Sequence, residues 1–280
     1  MTEARQWPDL VSVVVPVFNA ADTLPEQMAA LESQAFDGDW ELIIADNGSF
    51  DDTVATASLW LSRFSRISIV DASGRPGAGY ARNTGARHAK GQLLAFCDAD
   101  DIVDSGWLQG LAQRALSADI AGGMVSSSST SLPRIMDFLP HACGCCMAVW
   151  REVFEELGGF DPRFLAGQDV EFSWRAQRFG FSIGFAPNAQ IWRRARSDLR
   201  GVARQHFKYG YWGSLLYREY RNDGVPNTSL LRLMKSAIWL VARLPYLVIS
   251  KRRRHIWVRK AAYGAGAIKG SWKHRVLYTP

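Results

Sequence analysis

The feature that most constrains this chain is a regular alternation of strand and helix signals over its first 125 residues. Apolar runs at 10–18, 40–46, 66–72 and 92–99, the first of them rich in β-branched residues, predict four strands, and each is followed by a segment with helical character. Strands separated in this way pair in parallel, and helices then cover both faces of the sheet. The sequence therefore predicts an α/β fold with a mostly parallel sheet flanked by helices.

Bulk composition sets the class of protein. A chain of 280 residues with 48% hydrophobic residues can bury a large core. Three of its four cysteines, Cys143, Cys145 and Cys146, are too closely spaced for ordinary disulfides, which favours a reducing compartment. The first ten residues have neither a basic nor an apolar segment of a secretory signal. We therefore expect a cytoplasmic protein without a disulfide framework.

The charge is unevenly distributed along the chain. From Gly224 to Pro280 there are twelve Lys or Arg residues and no Asp or Glu, whereas the rest has 21 basic and 27 acidic residues. The apolar run at 236–249 is 14 residues long, which is shorter than the ~20 residues of a spanning helix. Two interpretations stay open. The tail either lies on the inner face of the cell membrane or packs as a helical appendage with a solvated basic face. No nucleic-acid-binding motif is recognised, so no nucleic-acid partner is expected.

Polar side chains follow the predicted strands at the points where these strands end. Asn19, Asp46, Asp71 and the cluster Asp98–Asp101 all occupy such positions. In open α/β sheets, ligands bind beyond the carboxyl ends of the strands. We therefore expect these side chains to converge on one edge of the sheet.

The acidic cluster places Asp98, Asp100 and Asp101 within four positions. Clustered carboxylates suit a hard divalent cation such as Mn²⁺ or Mg²⁺. The alternative is a solvated turn in which Asp104 caps the next helix.

Three other segments have local signals. The glycine-rich stretch 73–85 enters a helix and suits a phosphate, because helix N-termini and Arg82 attract anions. The stretch 141–146 contains His and Cys, but its spacing differs from that of zinc sites and favours a tightly packed strand. The polar stretch 126–131 predicts a mobile loop.

Four segments, in this order, resemble the family 2 glycosyltransferases: 11–24, 45–53, 77–101 and 156–180. The resemblance covers roughly residues 10–195. It implies the GT-A fold, a Rossmann-like arrangement. The implied domain spans 1–196, with a nucleotide-sugar half at about 1–125 and an acceptor half at about 137–196. The basic helical extension then occupies 197–280.

The resemblance also implies roles on the donor side, at the matching positions. Pro16, Val17 and Asn19 line the nucleotide pocket, and Asp46 matches the base-binding aspartate. Asn47 stands where a second aspartate is frequent.

Further along the chain, Arg82 lies near the nucleotide in the family pattern. Asp98 and Asp100 form the DXD motif, with Asp98 towards the ribose and Asp100 on the metal. Asp101 is the usual acidic follower and supports this motif.

On the acceptor side, Asp169 stands at the position of the catalytic base. Outside the family context, an acidic residue here also fits the first turn of a helix. Two departures affect this region. Gln168 replaces the usual Glu, and Trp192 lies in a stretch where many relatives have a metal-binding His.

Together these implied roles describe an inverting, Mn²⁺- or Mg²⁺-dependent enzyme. It moves a sugar from a nucleotide-diphosphate-sugar donor, with a UDP-sugar expected, to a hydroxyl acceptor such as a lipid-linked glycan. The implied setting is cell-surface polysaccharide or glycolipid synthesis. The alternative is a non-catalytic nucleotide-sugar- or glycan-binding protein of the same fold. A nucleotidyltransferase fits less well, because the chain has no early glycine-rich loop with a lysine.

Overall fold

The structure is a computed structural model that describes residues 5–125, 130–194, 198–226 and 229–279. Within these ranges eight strands form one sheet, in the spatial order β3-β2-β1-β4-β7-β6-β8-β5. The strands are β1 (Leu10–Val17), β2 (Asp39–Asp46), β3 (Ile67–Asp71), β4 (Leu93–Cys97), β5 (Asp101–Val103), β6 (Ile120–Val125), β7 (Cys146–Trp150) and β8 (Ile183–Arg193). The helices beside the sheet are α1 (Leu24–Glu32), α2 (Thr53–Ser58), α3 (Ala78–His88), α4 (Trp107–Ala115), α5 (Arg151–Glu156) and α6 (Gln168–Arg178). The predicted α/β fold is confirmed.

The two halves of the sheet differ in strand direction. The strands β3, β2, β1 and β4 are all parallel, as their apolar runs and intervening helices predict. In the other half, β7 is antiparallel to both β4 and β6, whereas β6 and β8 are parallel. No helix occurs in the described part of the segment that joins β6 to β7, and parallel pairing needs such a crossover. The sheet is therefore parallel over β3, β2, β1 and β4 and mixed over β7, β6, β8 and β5.

The parallel strands end level with one another. Val17 is the register partner of Asp46, and Asp46 is the register partner of Asp71. Backbone hydrogen bonds continue beyond these ends, from Asn47 N to Val17 O at 2.8 Å and from Ala72 N to Asp46 O at 2.7 Å. The residues that follow these strands consequently share one edge of the sheet.

The chain forms two compact units. The first consists of described residues within 1–135, 139–163 and 168–194, and the second of those within 136–138, 164–167 and 195–280. The predicted boundary at 196 and most of the predicted loop at 126–131 lie outside the described residues. The short segments 136–138 and 164–167 belong to the second unit, although they fall within or at the edge of the predicted acceptor half. The division into domains stays a prediction.

The second unit is helical and contains α7 (Leu199–Tyr220), α8 (Leu230–Ala242), the short α9 (Tyr246–Ile249) and α10 (Lys251–His274). The helices α7 and α10 run in the same direction and approach closely through glycines. A Cβ atom at Gly210 would overlap the backbone at Tyr263, and one at Gly266 would overlap the backbone at Phe207. Glycine is therefore required at these contacts. None of the helices in the described residues combines the length and the apolar character needed to cross a bilayer.

Candidate active site

Asn19 and Asp46 organise the turns at the ends of β1 and β2. Asn19 has a φ of 49°, in the left-handed region that Asn tolerates better than most residues. Its side-chain oxygen accepts a hydrogen bond from Phe50 N at 3.0 Å, and its own N–H donates to Ser49 Oγ at 2.9 Å. The carboxylate of Asp46 accepts from Ser49 N at 3.2 Å. The two predicted donor-side residues therefore fix the same turn.

Pro16 and Val17, also predicted to line the nucleotide pocket, lie in the last two positions of β1. Pro16 is half-buried, whereas the side chain of Val17 is packed in the core. The side chain of Val17 therefore packs in the core behind this edge of the sheet and is not accessible to solvent.

Asn47 uses its whole amide to hold the loop after β3. Its Nδ2 donates to Ala72 O at 2.6 Å and to Arg75 O at 2.8 Å, and its Oδ1 accepts from Gly77 N at 2.7 Å. Gly77 immediately precedes α3 and has a φ of 124°, which favours glycine. Asn47 thus positions the glycine-rich loop and the start of α3.

Arg82 is buried and forms an ion pair with Asp98. The guanidinium is 2% exposed, and its Nη2 donates to Asp98 Oδ1. Its Cζ lies 5.7 Å from the ring centre of Phe160. Among the described residues, its Nε and Nη1 are buried and have no hydrogen-bond partner. The cation predicted to lie near the nucleotide is therefore paired with the first carboxylate of the predicted DXD motif.

Asp169 begins the first turn of α6 and is held by two backbone N–H groups. Its Oδ2 accepts from Gly144 N at 2.9 Å, and its Oδ1 accepts from Val170 N at 3.0 Å. Gly144 lies directly between Asp169 and Arg82. A Cβ built at Gly144 would be 3.3 Å from Arg82 Cζ and 3.3 Å from Asp169 Cβ. The structure thus brings the predicted base next to the Arg82–Asp98 pair.

Gln168, which stands where the family pattern has Glu, packs on the first turn of α3. Its Cγ would be 3.3 Å from a Cβ at Gly79. In the described part of the chain, its Oε1 is buried and has no hydrogen-bond partner. Gln168 therefore joins the start of α6 to the helix that contains Arg82.

The acidic cluster divides into the exposed Asp100 and a group in which Asp98 is half-buried and its neighbours are buried. Asp100, the predicted metal ligand, is exposed. Asp98, Asp101 and Cys145 have ligand atoms that all lie within 4.8 Å of one another. Asp101 is 2% exposed and opens strand β5, a strand that the sequence did not predict. Burial and repulsion from Asp98 and Asp100 raise the pKa of Asp101 to about 7.

The carboxylates of this group suit a hard divalent ion, whereas the thiol does not. The carboxylates of Asp98, Asp100 and Asp101 are the ligands that Mn²⁺ and Mg²⁺ prefer. Cys145 is different, because burial raises the pKa of its thiol well above the usual value and keeps it protonated. The carboxylates are therefore the suitable ligands, and the thiol packs behind them.

Arg193 follows Trp192 directly and provides a cation beside the acidic cluster. On the neighbouring strand it is the register partner of Asp101, and its charge opposes the rise in the pKa of Asp101. Trp192 is 51% exposed. A permanent positive charge therefore lies beside the acidic group.

Sequence reasoning missed Gly144 and Cys145, which belong to the stretch 141–146. All four cysteines are free, and Cys145 and Cys146 are buried. It also missed Asn83, whose amide donates to Phe160 O at 2.7 Å and accepts from Phe160 N at 2.9 Å. These hydrogen bonds hold Phe160 beside Arg82. Their only signal in the sequence is that Asn83 follows Arg82 directly.

Solved structures with this fold include two that were determined with sugar nucleotides. The mannosyltransferase PcManGT from Pyrobaculum calidifontis, solved with GDP-Man and Mn²⁺, aligns with a TM-score of 0.70 at 20% identity, over 95% of this chain and 88% of that chain. S. aureus TarS 1–349, solved with UDP-GlcNAc, aligns with a TM-score of 0.56 at 16% identity, over 95% of this chain and 92% of that chain. The sheet and its flanking helices therefore have the GT-A fold of glycosyltransferases.

The sequence comparisons give the family. A model described as Glycosyl transferase family 2 matches residues 12–137, and one described as Glycosyltransferase like family 2 matches residues 131–211. Glycosyltransferase AglE of Haloferax volcanii is 28% identical over 90% of this chain and 88% of its own length. The glucosyltransferase WfgD of Escherichia coli is 34% identical over 33% of this chain and 36% of its own length. The chain belongs to the family 2 glycosyltransferases, and it is an enzyme of that class.

Proposed function

We propose that this enzyme transfers a sugar, with inversion at the anomeric carbon, from a nucleotide-diphosphate-sugar to a hydroxyl acceptor. Asp169 is the general base. The observation that supports this proposal is the position of Asp169. Its two carboxylate oxygens accept hydrogen bonds from Gly144 N and Val170 N, next to the Arg82–Asp98 pair. This carboxylate is fixed in the first turn of α6.

The chemistry follows from a single positioned base. Asp169 takes the proton of the acceptor hydroxyl as its oxygen attacks the anomeric carbon. The bond from that carbon to the diphosphate breaks on the opposite face, so the configuration inverts. General-base assistance of this kind contributes about 10²–10⁴-fold to the rate. Glycosidases differ, because they use a pair of carboxylates for hydrolysis.

The donor side binds the nucleotide in this proposal. Asp46 and Asn19 hold the base and ribose edge, and the loop anchored by Asn47 faces the diphosphate at the start of α3. Asp100, with Asp98 and Asp101 beside it, would hold Mn²⁺ or Mg²⁺. When bound, the ion supplies Lewis-acid neutralisation of the charge that develops on the leaving diphosphate.

We further propose a UDP-sugar donor and a lipid-linked glycan acceptor, in cell-surface polysaccharide or glycolipid synthesis. The acceptor is supported by WfgD, which is named for transfer of glucose from UDP-Glc to α-D-GlcNAc-diphosphoundecaprenol. A panel of UDP- and GDP-sugars with Mn²⁺ or Mg²⁺ tests the donor by thermal shift, because a ligand that binds only the folded state raises the melting temperature. NMR of the product gives the anomeric configuration. Retention of the donor configuration would contradict the proposal.

A membrane-surface location is part of this proposal. The helix α8 has an outward stripe of apolar side chains at helical spacing, formed by Leu231, Met234, Ile238 and Val241. Attraction to anionic lipid adds about 1 kcal/mol per nearby Lys or Arg. Flotation with anionic liposomes tests it, with the double variant Met234→Glu, Ile238→Glu in comparison. Equal flotation of the two proteins would contradict a role for this stripe.

A further inference from the structure

An apolar groove in the second unit lies next to a basic pocket. The groove has a volume of about 580 Å³ and lies between α8 and α10. Most of its lining is hydrocarbon, from Leu233, Ala237, Leu240, Ile256 and Ile268. The neighbouring pocket has a volume of about 500 Å³ and is lined by Lys251, Arg252, His255, Ile256 and Arg259. Ile256 and Arg259 line both, so the two spaces are neighbours that share part of α10.

The groove exists because α8 is held at only part of its length against α10. The indole N–H of Trp257 donates to Leu240 O at 2.9 Å, near the end of α8. Lys260 Nζ lies 4.5 Å from the ring centre of Trp239, on the next turn of α10. Every described side chain of α8 from 231 to 242 is at least partly exposed. An apolar helix with so little burial has an uncovered inner face as well as an uncovered outer one.

The basic pocket has an electrostatic imbalance. Lys251, Arg252, Arg253 and Arg254 form the first turn of α10, where the helix dipole favours negative charge and disfavours positive charge. The chain from Gly224 onward contains no carboxylate that compensates for it. Arg259 is held in place, because its Nε donates to His206 Nε2 at 2.9 Å. A bound anion would be stabilised by the N-terminus of α10 and by Lys251, Arg252 and Arg259, which line the pocket.

We propose that this groove binds one acyl chain of an anionic membrane phospholipid, with the lipid phosphate in the basic pocket at the start of α10. The apolar groove lies beside the basic pocket. This combination suits an amphiphile that has a hydrocarbon chain and an anionic head group. The volume of the groove is within the range of ligand pockets, about 300–1,000 Å³. The inference rests on the membrane-surface part of the proposed function and makes it specific, since it assigns a defined lipid site in addition to the outer stripe of α8.

Calorimetric titration of the full-length protein with dihexanoyl phosphatidylglycerol, below its micelle concentration, tests the site. Ala237→Trp fills the groove, and Arg252→Glu reverses a charge in the pocket. We expect the first to weaken binding at least tenfold and the second at least fivefold, with a loss of affinity at high salt. The matched controls, Ala242→Trp on the same helix and Lys273→Glu at the other end of α10, should bind within twofold of the wild type. Melting temperatures establish that each variant is folded.

Three results would overturn the assignment: wild-type affinity in both test variants, equal affinity for dihexanoyl phosphatidylcholine, or binding of farnesyl phosphate without binding of the phospholipid. The last result would assign the groove to an isoprenoid carrier instead. Liposome flotation and sugar transfer to a water-soluble acceptor are measured on the same proteins. If only the Met234→Glu, Ile238→Glu variant loses flotation, the result bears on the membrane-surface part of the proposed function. If Ala237→Trp loses its affinity for the lipid in the titration, the result bears on this site.

Discussion

Arg82 and Asp98 form a buried ion pair whose arginine also touches the glycine that holds Asp169. The guanidinium is 2% exposed and the Asp98 side chain 26%. Gly144, which donates to Asp169, is packed against the same guanidinium. The donor-side carboxylate and the proposed base are therefore connected through two residues.

Replacing Asp169 by Asn should abolish most sugar transfer while donor binding persists. The amide cannot accept the hydroxyl proton, so the rate should fall by about 10²–10⁴-fold. Nucleotide release measures the rate, and thermal shift with the nucleoside diphosphate measures binding. Glu156→Gln, an exposed change at the end of α5, is the control. Wild-type turnover in Asp169→Asn would exclude Asp169 as the base.

Arg82→Met should destabilise the protein, because it leaves the Asp98 carboxylate without its partner. We expect a loss of about 3 kcal/mol, at the low end for buried pairs since Asp98 keeps some exposure. The double variant Arg82→Met, Asp98→Asn should recover part of this loss. Urea denaturation of the four proteins gives the coupling energy. Strict additivity would show that the pair contributes nothing to stability.

Gly144→Ala should reduce turnover more than stability. The new Cβ would lie 3.3 Å from Arg82 and from Asp169, which is closer than ordinary contact. Small displacements of both side chains should lower kcat by about tenfold, since catalytic geometry tolerates little error. Gly264→Ala is the control, because a Cβ there meets no atom within 4 Å. Unchanged kcat in Gly144→Ala would contradict the proposed geometry.

The sequence predicts the parallel half of the sheet well, because its strands are apolar runs and helices intervene between them. It does not predict β5, since this strand has only three residues and begins with the buried carboxylate of Asp101. Composition also gives no direction to a strand, so the antiparallel β7 is not foreseen. Helix α2 ends at Ser58, and Phe64, six residues further on, packs against Trp40 of β2. Tertiary contacts decide each of these cases.

The candidate site, like the fold, is only partly predictable from the sequence. The rule that ligands bind at the carboxyl ends of parallel strands places Asn19, Asp46 and Asp98 correctly at one edge. Contacts between distant segments are not encoded locally. The role of Gly144 depends on Arg82 and Asp169, and a glycine within a run of cysteines gives no sign of it.

Asn47→Asp, a change towards the residue frequent in the family, should destabilise this protein. Aspartate cannot donate the hydrogen bonds that Asn47 makes to Ala72 O and Arg75 O, and its charge would face those two carbonyl oxygens. The expected loss is about 1–3 kcal/mol, together with weaker donor binding because the loop before α3 loosens. Thermal denaturation and donor titration measure the two effects. A variant as stable as the wild type would show that the loop does not depend on this amide.

Stability should decrease in acid through Asp119. Burial alone would raise the pKa of this carboxyl, but hydrogen bonds from Arg5 and from the N–H and hydroxyl of Ser182 outweigh burial and lower it. Because the folded-state pKa is below the unfolded value, the contribution is complete above the unfolded pKa of about 3.9 and is lost as pH falls through the folded pKa. Asp119→Asn should therefore lower the melting temperature at pH 7, and its difference from the wild type should shrink below about pH 4. Melting curves between pH 3 and pH 7 measure this, and a difference that stays constant across that range would show that the ionised form of Asp119 contributes nothing.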